Sequence, residues 1–101
     1  MKFINGEKCF TVGESAQYLG ISTSTMRYWV DYGLSNKMVS YIQENKNQFP
    51  VLFNNYETKN DPKRLVDFMR DHANRRLIGE TVIDELKKLL LNKLGVEEKA
   101  V

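Results

Sequence analysis

The sequence predicts an α + β fold, mainly helical with a small β component, within a single domain. Three observations favour this fold class. The 101 residues suffice for one hydrophobic core and leave no length for a separate catalytic domain. Several segments combine a good helix N-cap with apolar side chains spaced three and four residues apart, which indicates helices. Short apolar runs flank Asn5-Gly6, whose two residues tolerate positive φ, so a small strand or hairpin is expected at the start.

Composition narrows the classes of function. The formal net charge of +2 and the pI near 8.7 are compatible with a nucleic-acid partner but do not require one. A single cysteine, Cys9, excludes an internal disulfide and a multi-cysteine zinc site, and a single histidine, His72, removes most histidine-based metal sites. These counts lead us to expect no metal, and no cofactor is expected either. No apolar run is long enough for a signal peptide or a membrane span, so we expect a cytoplasmic protein without membrane contact.

No pattern in the sequence supports catalysis. A Ser/His/Asp set, a glycine loop that cradles phosphates and a carboxylate pair at a known motif spacing are all missing from the sequence. We therefore do not expect an enzyme.

The first helix is predicted from the spacing Thr11-x-x-Glu14. In this capping box each side chain accepts a hydrogen bond from a free backbone N–H group of the other residue. Val12, Ala16 and Leu19 then form one apolar face, and Gly20 is typical of a helix C-terminus.

A second helix is predicted to begin after Ser22, a good N-cap, and to end at Gly33. Residues 11–34 therefore hold two short helices joined by a tight turn, the plan of a helix-turn-helix. One face of the second helix is apolar and the other polar: the apolar residues are Met26, Trp29 and Val30, and the polar residues are Ser24, Arg27, Tyr28 and Asp31.

Residues 38–53 are predicted to form a β-hairpin wing, with strands over 38–43 and 48–53 around the polar turn 44–47. A helix over 36–45 is the competing interpretation. In either case Pro50 is expected to confine its segment to an edge strand, since proline cannot donate to a sheet.

Two helices are predicted over 61–95, packed on the core. Asp61-Pro62 should begin the first, which continues to a break at Gly79, and Thr81 with Asp84 should cap the second. The apolar face of the second helix covers either the core or a dimer interface, and we favour the dimer interface. Its members are Val82, Ile83, Leu86, Leu89, Leu90 and Leu94.

The run from Phe10 to Leu34 resembles the DNA-binding head of MerR-like and excisionase-like winged-helix proteins. About a quarter of the chain carries the resemblance, in the order Thr-Val-Gly-Glu, Leu-Gly-Ile-Ser, Ser-Thr-Met-Arg-Tyr-Trp and Gly-Leu. The resemblance implies a winged helix-turn-helix whose recognition helix starts at Ser22. The long coiled coil and effector domain of many MerR-type activators have no counterpart in this sequence, so no sensor is expected.

The residues expected to contact DNA have hydroxyl, guanidinium, ammonium and amide groups, which bond phosphates and base edges. They are Ser22, Thr23, Ser24, Thr25, Arg27 and Tyr28 on the second helix, Lys37 after it, and Asn45, Lys46 and Asn47 at the wing tip. Four further cations, Lys63, Arg64, Arg75 and Arg76, alternate with Asp67 and Asp71, which favours a solvated surface over phosphate contact.

The sequence thus predicts a homodimeric, site-specific binder of double-stranded DNA. The resemblance suggests an accessory or regulatory factor of a mobile element, which acts in transcription regulation, excision, or origin binding during conjugative plasmid transfer or replication, within a larger nucleoprotein complex. The alternative is a protein-interaction adaptor that docks a partner on the face of Leu86, Leu90 and Leu94.

Overall fold

The computed structural model describes residues 2–58, 61 and 63–92. These residues form helices and a sheet, which confirms the predicted α + β class. The elements, in chain order, are β1 (Lys2–Ile4), β2 (Glu7–Thr11), α1 (Val12–Leu19), α2 (Thr23–Asp31), α3 (Asn36–Glu44), a 3₁₀ turn (Lys46–Gln48), α4 (Pro50–Thr58), β3 (Met69–Arg70), β4 (Arg76–Gly79) and α5 (Glu80–Leu91). No helix in these ranges is long and apolar enough to cross a membrane.

The four strands form one antiparallel sheet in the order β1-β2-β4-β3. The predicted hairpin at the start is confirmed: β1 and β2 are joined by Asn5 and Gly6, both at positive φ. β2 also pairs with β4, with Cys9 opposite Gly79 and Thr11 opposite Leu77. This pairing ties the strand that leads into α1 to the strand that leads into α5.

The helix pair α1–α2 forms as predicted. The backbone N–H of Glu14 donates to Thr11 Oγ1 over 3.1 Å, and the N–H of Thr11 donates to Glu14 Oε1 over 3.0 Å, which completes the capping box. Gly20 ends α1 in the left-handed conformation, and Ser22 Oγ accepts the N–H of Thr25 at the start of α2. The left-handed backbone of Gly20 at one end and the Ser22 side-chain cap at the other therefore define the turn.

The predicted hairpin wing over 38–53 is wrong, and the competing helix over 36–45 is correct. Ser35 caps α3 by accepting the N–H of Met38, and one face of the helix buries Met38, Val39 and Ile42. Pro50 is the first residue of α4 rather than part of an edge strand. Its missing N–H is harmless there, because the first N–H groups of a helix have no partner inside the helix.

The predicted helix from Asp61 to Gly79 is also wrong. Residues 64–68 have no regular secondary structure, and β3 and β4 follow as a second hairpin. Leu65 and Val66 are adjacent and both buried, and the Leu65 carbonyl accepts Asn55 Nδ2 over 2.9 Å. Contacts from α4 thus hold this segment out of a helix.

The leucine-rich face of α5 lies in the core of the single chain. α5 packs against α1, α4, β2 and β4, and the described apolar residues of this face are at most 8% exposed, whereas Leu91, outside the face, is 74% exposed. The predicted dimer interface is therefore wrong for five residues, whose side chains are already covered by their own chain. These are Val82, Ile83, Leu86, Leu89 and Leu90; Leu94 lies outside the described residues.

Two glutamates that are distant in sequence cap helices in this core. The buried carboxylate of Glu85, on α5, accepts the N–H groups of Val51 and Leu52 at the start of α4, over 3.0 and 2.9 Å. The carboxylate of Glu7 accepts the N–H and the hydroxyl of Thr81 at the start of α5, over 3.2 and 2.9 Å. Thr81 therefore does not cap α5, whose N-cap is Gly79. Negative charge is favourable at both positions because a helix N-terminus is partially positive.

Candidate nucleic-acid interface

Helix α2 has a buried apolar face and an exposed polar face, as its sequence pattern predicts. Met26, Trp29 and Val30 are at most 4% exposed and anchor the helix. Ser24, Arg27 and Tyr28 project from the opposite face and are exposed. The packed apolar face holds the exposed side chains on a rigid support, which suits recognition of another molecule.

The start of α2 is occupied by the predicted hydroxyl residues. Ser22 and Thr23 are exposed and Thr25 is half-buried. The Ser22 and Thr25 hydroxyls lie 2.8 Å apart, while Ser22 Oγ also accepts the Thr25 N–H. The Ser22 hydroxyl therefore caps the helix, and the Thr25 hydroxyl is hydrogen-bonded to it.

An ion pair fixes the other end of α2 to the sheet. The carboxylate of Asp31 pairs with the guanidinium of Arg76 on β4. Asp31 lies one helical turn after Arg27 on the same face, so a free carboxylate there would repel phosphate. The pair compensates this charge and holds the β3–β4 hairpin beside α2.

The loop of this second hairpin is organised by Asp71, whose side chain is only 2% exposed. Its carboxylate accepts the N–H groups of Ala73 and Arg75, both over 2.9 Å, and also bonds Arg75 Nε and Lys2 Nζ. Asn74 adopts positive φ at the turn. The loop therefore has a defined shape and exposes Arg70, His72, Asn74 and Arg75.

The hydrogen bonds to Asp71 make the hairpin sensitive to acid. The backbone N–H of Arg75, followed by the Lys2 and Arg75 side chains, holds the pKa of Asp71 well below its ordinary value. A pKa lowered by folding stabilises the folded state above the unfolded value of about 3.9, and this contribution disappears as the pH falls towards the folded value. The difference in unfolding free energy between the wild type and Asp71→Asn should thus be constant from about pH 7 to 5 and shrink below about pH 4. Urea titrations at several pH values measure it, and a difference that grows in acid would contradict this assignment.

An open groove of about 590 Å³ runs along α2 beside its exposed polar face, which contributes Ser24 and Tyr28 to the lining. Tyr28 and Tyr32 form one wall, with ring centroids 5.1 Å apart. Ser35 and Lys63 also line the groove, and we call this feature the Tyr–Lys groove. The other described lining residues are Thr25, Trp29, Gly33 and Leu34, so none of the described residues of the lining is acidic.

The residues predicted for the wing tip lie elsewhere. Asn45 ends α3, where its Nδ2 donates to the Tyr41 carbonyl. Lys46 Nζ lies 5.6 Å from the centre of the Phe53 ring, and Asn47 is exposed on the 3₁₀ turn. Helix α3 is about 13 Å long and separates these residues, at its C-terminal end, from Lys37, which is exposed in its first turn. Of the four residues predicted to contact DNA after α2, Lys37 is the nearest in sequence to the Tyr–Lys groove, two residues after Ser35.

The candidate surface around α2 also includes residues that were not predicted to contact DNA. Tyr32 lies one turn after Tyr28, and this spacing could have identified it. The sequence alone assigns Lys63 and Arg76 to a solvated surface, because the tertiary contacts that bring them to the end of α2 come from 32 and 45 positions beyond Asp31. Within the part of the chain described, no group of three Asp, Glu, His or Cys side chains is placed to hold a metal ion.

Comparison with known proteins gives no assignment: no family model, curated protein or solved structure matches this chain. Its function is therefore inferred from its own residues and geometry.

Proposed function

We propose that the chain binds double-stranded DNA with α2 as its recognition helix. The observation that carries the proposal is the exposed polar face of α2, with Arg27 at its middle and its one carboxylate already paired with Arg76. A helix of nine residues is about 13 Å long, and the major groove, about 12 Å wide, admits an α-helix.

The roles of the exposed side chains follow from their chemistry. Arg27 can bond O6 and N7 of a guanine or grip a phosphate, and the hydroxyl of Ser24 can bond several base edges. Tyr28 adds a phenol that can donate to a phosphate oxygen. Recognition would thus combine one strong cationic contact with weaker hydroxyl contacts.

The β3–β4 hairpin is proposed to act as the wing. It lies beside α2, with which it shares the Asp31–Arg76 ion pair, and its strands extend the sheet in the order β2-β4-β3. Helices α3 and α4 separate α2 from this hairpin in sequence. The proposed wing is therefore formed by residues 69–79 and not by the predicted 38–53. Its exposed Arg70, His72 and Asn74 suit contact with the backbone or the minor groove.

A small protein of this kind could serve transcription, excision or the assembly of a complex at an origin. All of these require the same act, which is binding at a defined duplex site. The adaptor alternative loses support, because Leu86 and Leu90, the two described residues of the face proposed for docking, are buried.

Arg27→Ala should weaken binding to duplex DNA by about 10- to 100-fold, because a bidentate guanine contact or a phosphate contact is lost. A preferred site would first be selected from a random duplex pool, and affinity then measured by fluorescence anisotropy at several salt concentrations. Lys88→Ala is the control, since Lys88 lies on α5 and donates to the Gln48 carbonyl, away from α2. Equal effects of the two variants, or affinity that does not fall with rising salt, would contradict the proposal.

A further inference from the structure

We infer that the Tyr–Lys groove holds the sugar–phosphate backbone of one DNA strand, with the Lys63 ammonium on a phosphate oxygen and the Tyr32 ring against a deoxyribose. The inference rests on the proposed function and deepens it, because it extends the interface beyond the exposed face of α2 to two residues that follow the helix.

Charge is the first argument. Among the described residues of the groove lining, Lys63 is the only charged one, and three hydroxyl residues, Ser24, Thr25 and Ser35, accompany it. Within the described residues no carboxylate forms an ion pair with the Lys63 ammonium. An unpaired cation among hydroxyl donors fits an anionic ligand, and phosphate oxygens accept from both kinds of donor.

The aromatic wall is the second argument. Tyr28 and Tyr32 are 59% and 69% exposed, although they pack against each other. Two large exposed rings side by side, next to polar groups, are typical of an interaction surface. The rings offer an apolar surface to a sugar, while the hydroxyl and ammonium groups offer donors to the adjoining phosphate.

The position of Lys63 is the third argument. Its carbonyl accepts the N–H of Leu34 over 2.8 Å, and its own N–H donates to Asp61 Oδ1 over 3.0 Å. These bonds fix its backbone beside Gly33, immediately after the C-terminal end of α2. A cation beside the end of a recognition helix meets the backbone at the edge of the major groove, where contacts position the protein rather than read bases.

Lys63→Gln tests the assignment through the salt dependence of binding. The affinity of each variant is measured for the selected duplex and for a random-sequence duplex between about 50 and about 200 mM NaCl. Plots of log affinity against log salt have a negative slope, and Lys63→Gln should make this slope less steep by about one. The variant should weaken binding to both duplexes by the same factor. Lys63→Arg should keep the slope of the wild type. Lys88→Gln, which removes the same charge on α5, should change neither affinity nor slope.

Tyr32→Ala provides an uncharged test of the same groove. It should lower affinity for both duplexes and leave the slope unchanged, because no phosphate charge is neutralised by the ring. Urea unfolding of each variant shows whether the fold is intact.

Three outcomes would overturn the inference. The first is a salt-dependence slope for Lys63→Gln equal to that of the wild type, while Arg27→Ala still weakens binding. This result would exclude the groove from the interface and leave the proposed function standing. A loss confined to the selected duplex would mean that Lys63 reads a base instead of the backbone. No duplex binding by the wild type at low salt would overturn the proposed function and this site together.

Discussion

Gly33→Ala should lower the free energy of unfolding by roughly 3 kcal/mol or more, a large part of the stability of a small domain. Gly33 has a φ of +116°, which L side chains rarely adopt. A Cβ at this position would also lie 2.6 Å from the carbonyl oxygen of Lys63 and 2.7 Å from its Cβ. The clash involves backbone on both sides, so neither segment can relieve it by a change of rotamer. Urea unfolding followed by the fluorescence of the single tryptophan, Trp29, measures the loss.

Two other glycines separate the causes of this effect. Gly20 also has positive φ, but a Cβ there would meet no atom within 4 Å, so Gly20→Ala should cost only about 1 to 2 kcal/mol. Gly13 lies in the first turn of α1 with open space around it, and Gly13→Ala should stabilise the protein by about 0.5 kcal/mol. If Gly33→Ala cost no more than Gly20→Ala, the contact with Lys63 would not be the cause.

Glu85→Ala should lower the free energy of unfolding by about 3 kcal/mol. The carboxylate is 4% exposed and accepts two N–H groups at the start of α4. Its removal would leave the N–H groups of Val51 and Leu52 without an acceptor in a place that water hardly reaches, and each orphaned donor is costly. Denaturant unfolding at neutral pH measures the change.

Two further variants identify the origin of the Glu85 effect. Glu85→Gln keeps one acceptor oxygen and should cost roughly half as much as Glu85→Ala. Asp84→Ala removes an exposed carboxylate from the neighbouring position of α5 and should change stability by less than about 0.5 kcal/mol. A similar loss for Asp84→Ala and Glu85→Ala would mean that helix charge, rather than the buried hydrogen bonds, is responsible.

The parts of the fold that depend on neighbouring residues could be predicted from the sequence. The capping box of Thr11 and Glu14, the Ser22 cap and the Asn5-Gly6 turn each involve residues at most three positions apart. For the same reason the buried and exposed faces of α2 could be assigned, and with them Arg27 and Tyr28. These interactions depend little on the rest of the chain.

The two incorrect segments depend on more distant contacts. Residues 36–53 contain β-branched and aromatic residues that suit a strand. The Ser35 cap is a local signal for α3, but the start of α4 is capped by the Glu85 carboxylate, 33 and 34 positions away. Residues 64–78 have helical spacing, but Asn55 holds Leu65 and β2 pairs with β4. The same applies to the interface: Lys63 and Arg76 reach α2 only through the folded backbone.

The hydrogen bond between Glu7 and Thr81 joins residues 74 positions apart. It closes the same long loop of the chain as the pairing of β2 with β4. Such distant contacts slow folding, because a long loop must be ordered before they form. During synthesis, the helix pair α1–α2 would leave the ribosome well before the strand and helix that support it. The face of α1 that packs against β4 and α5 would then stay uncovered until these elements emerge, so a peptide limited to residues 11–34 should remain largely unfolded by circular dichroism.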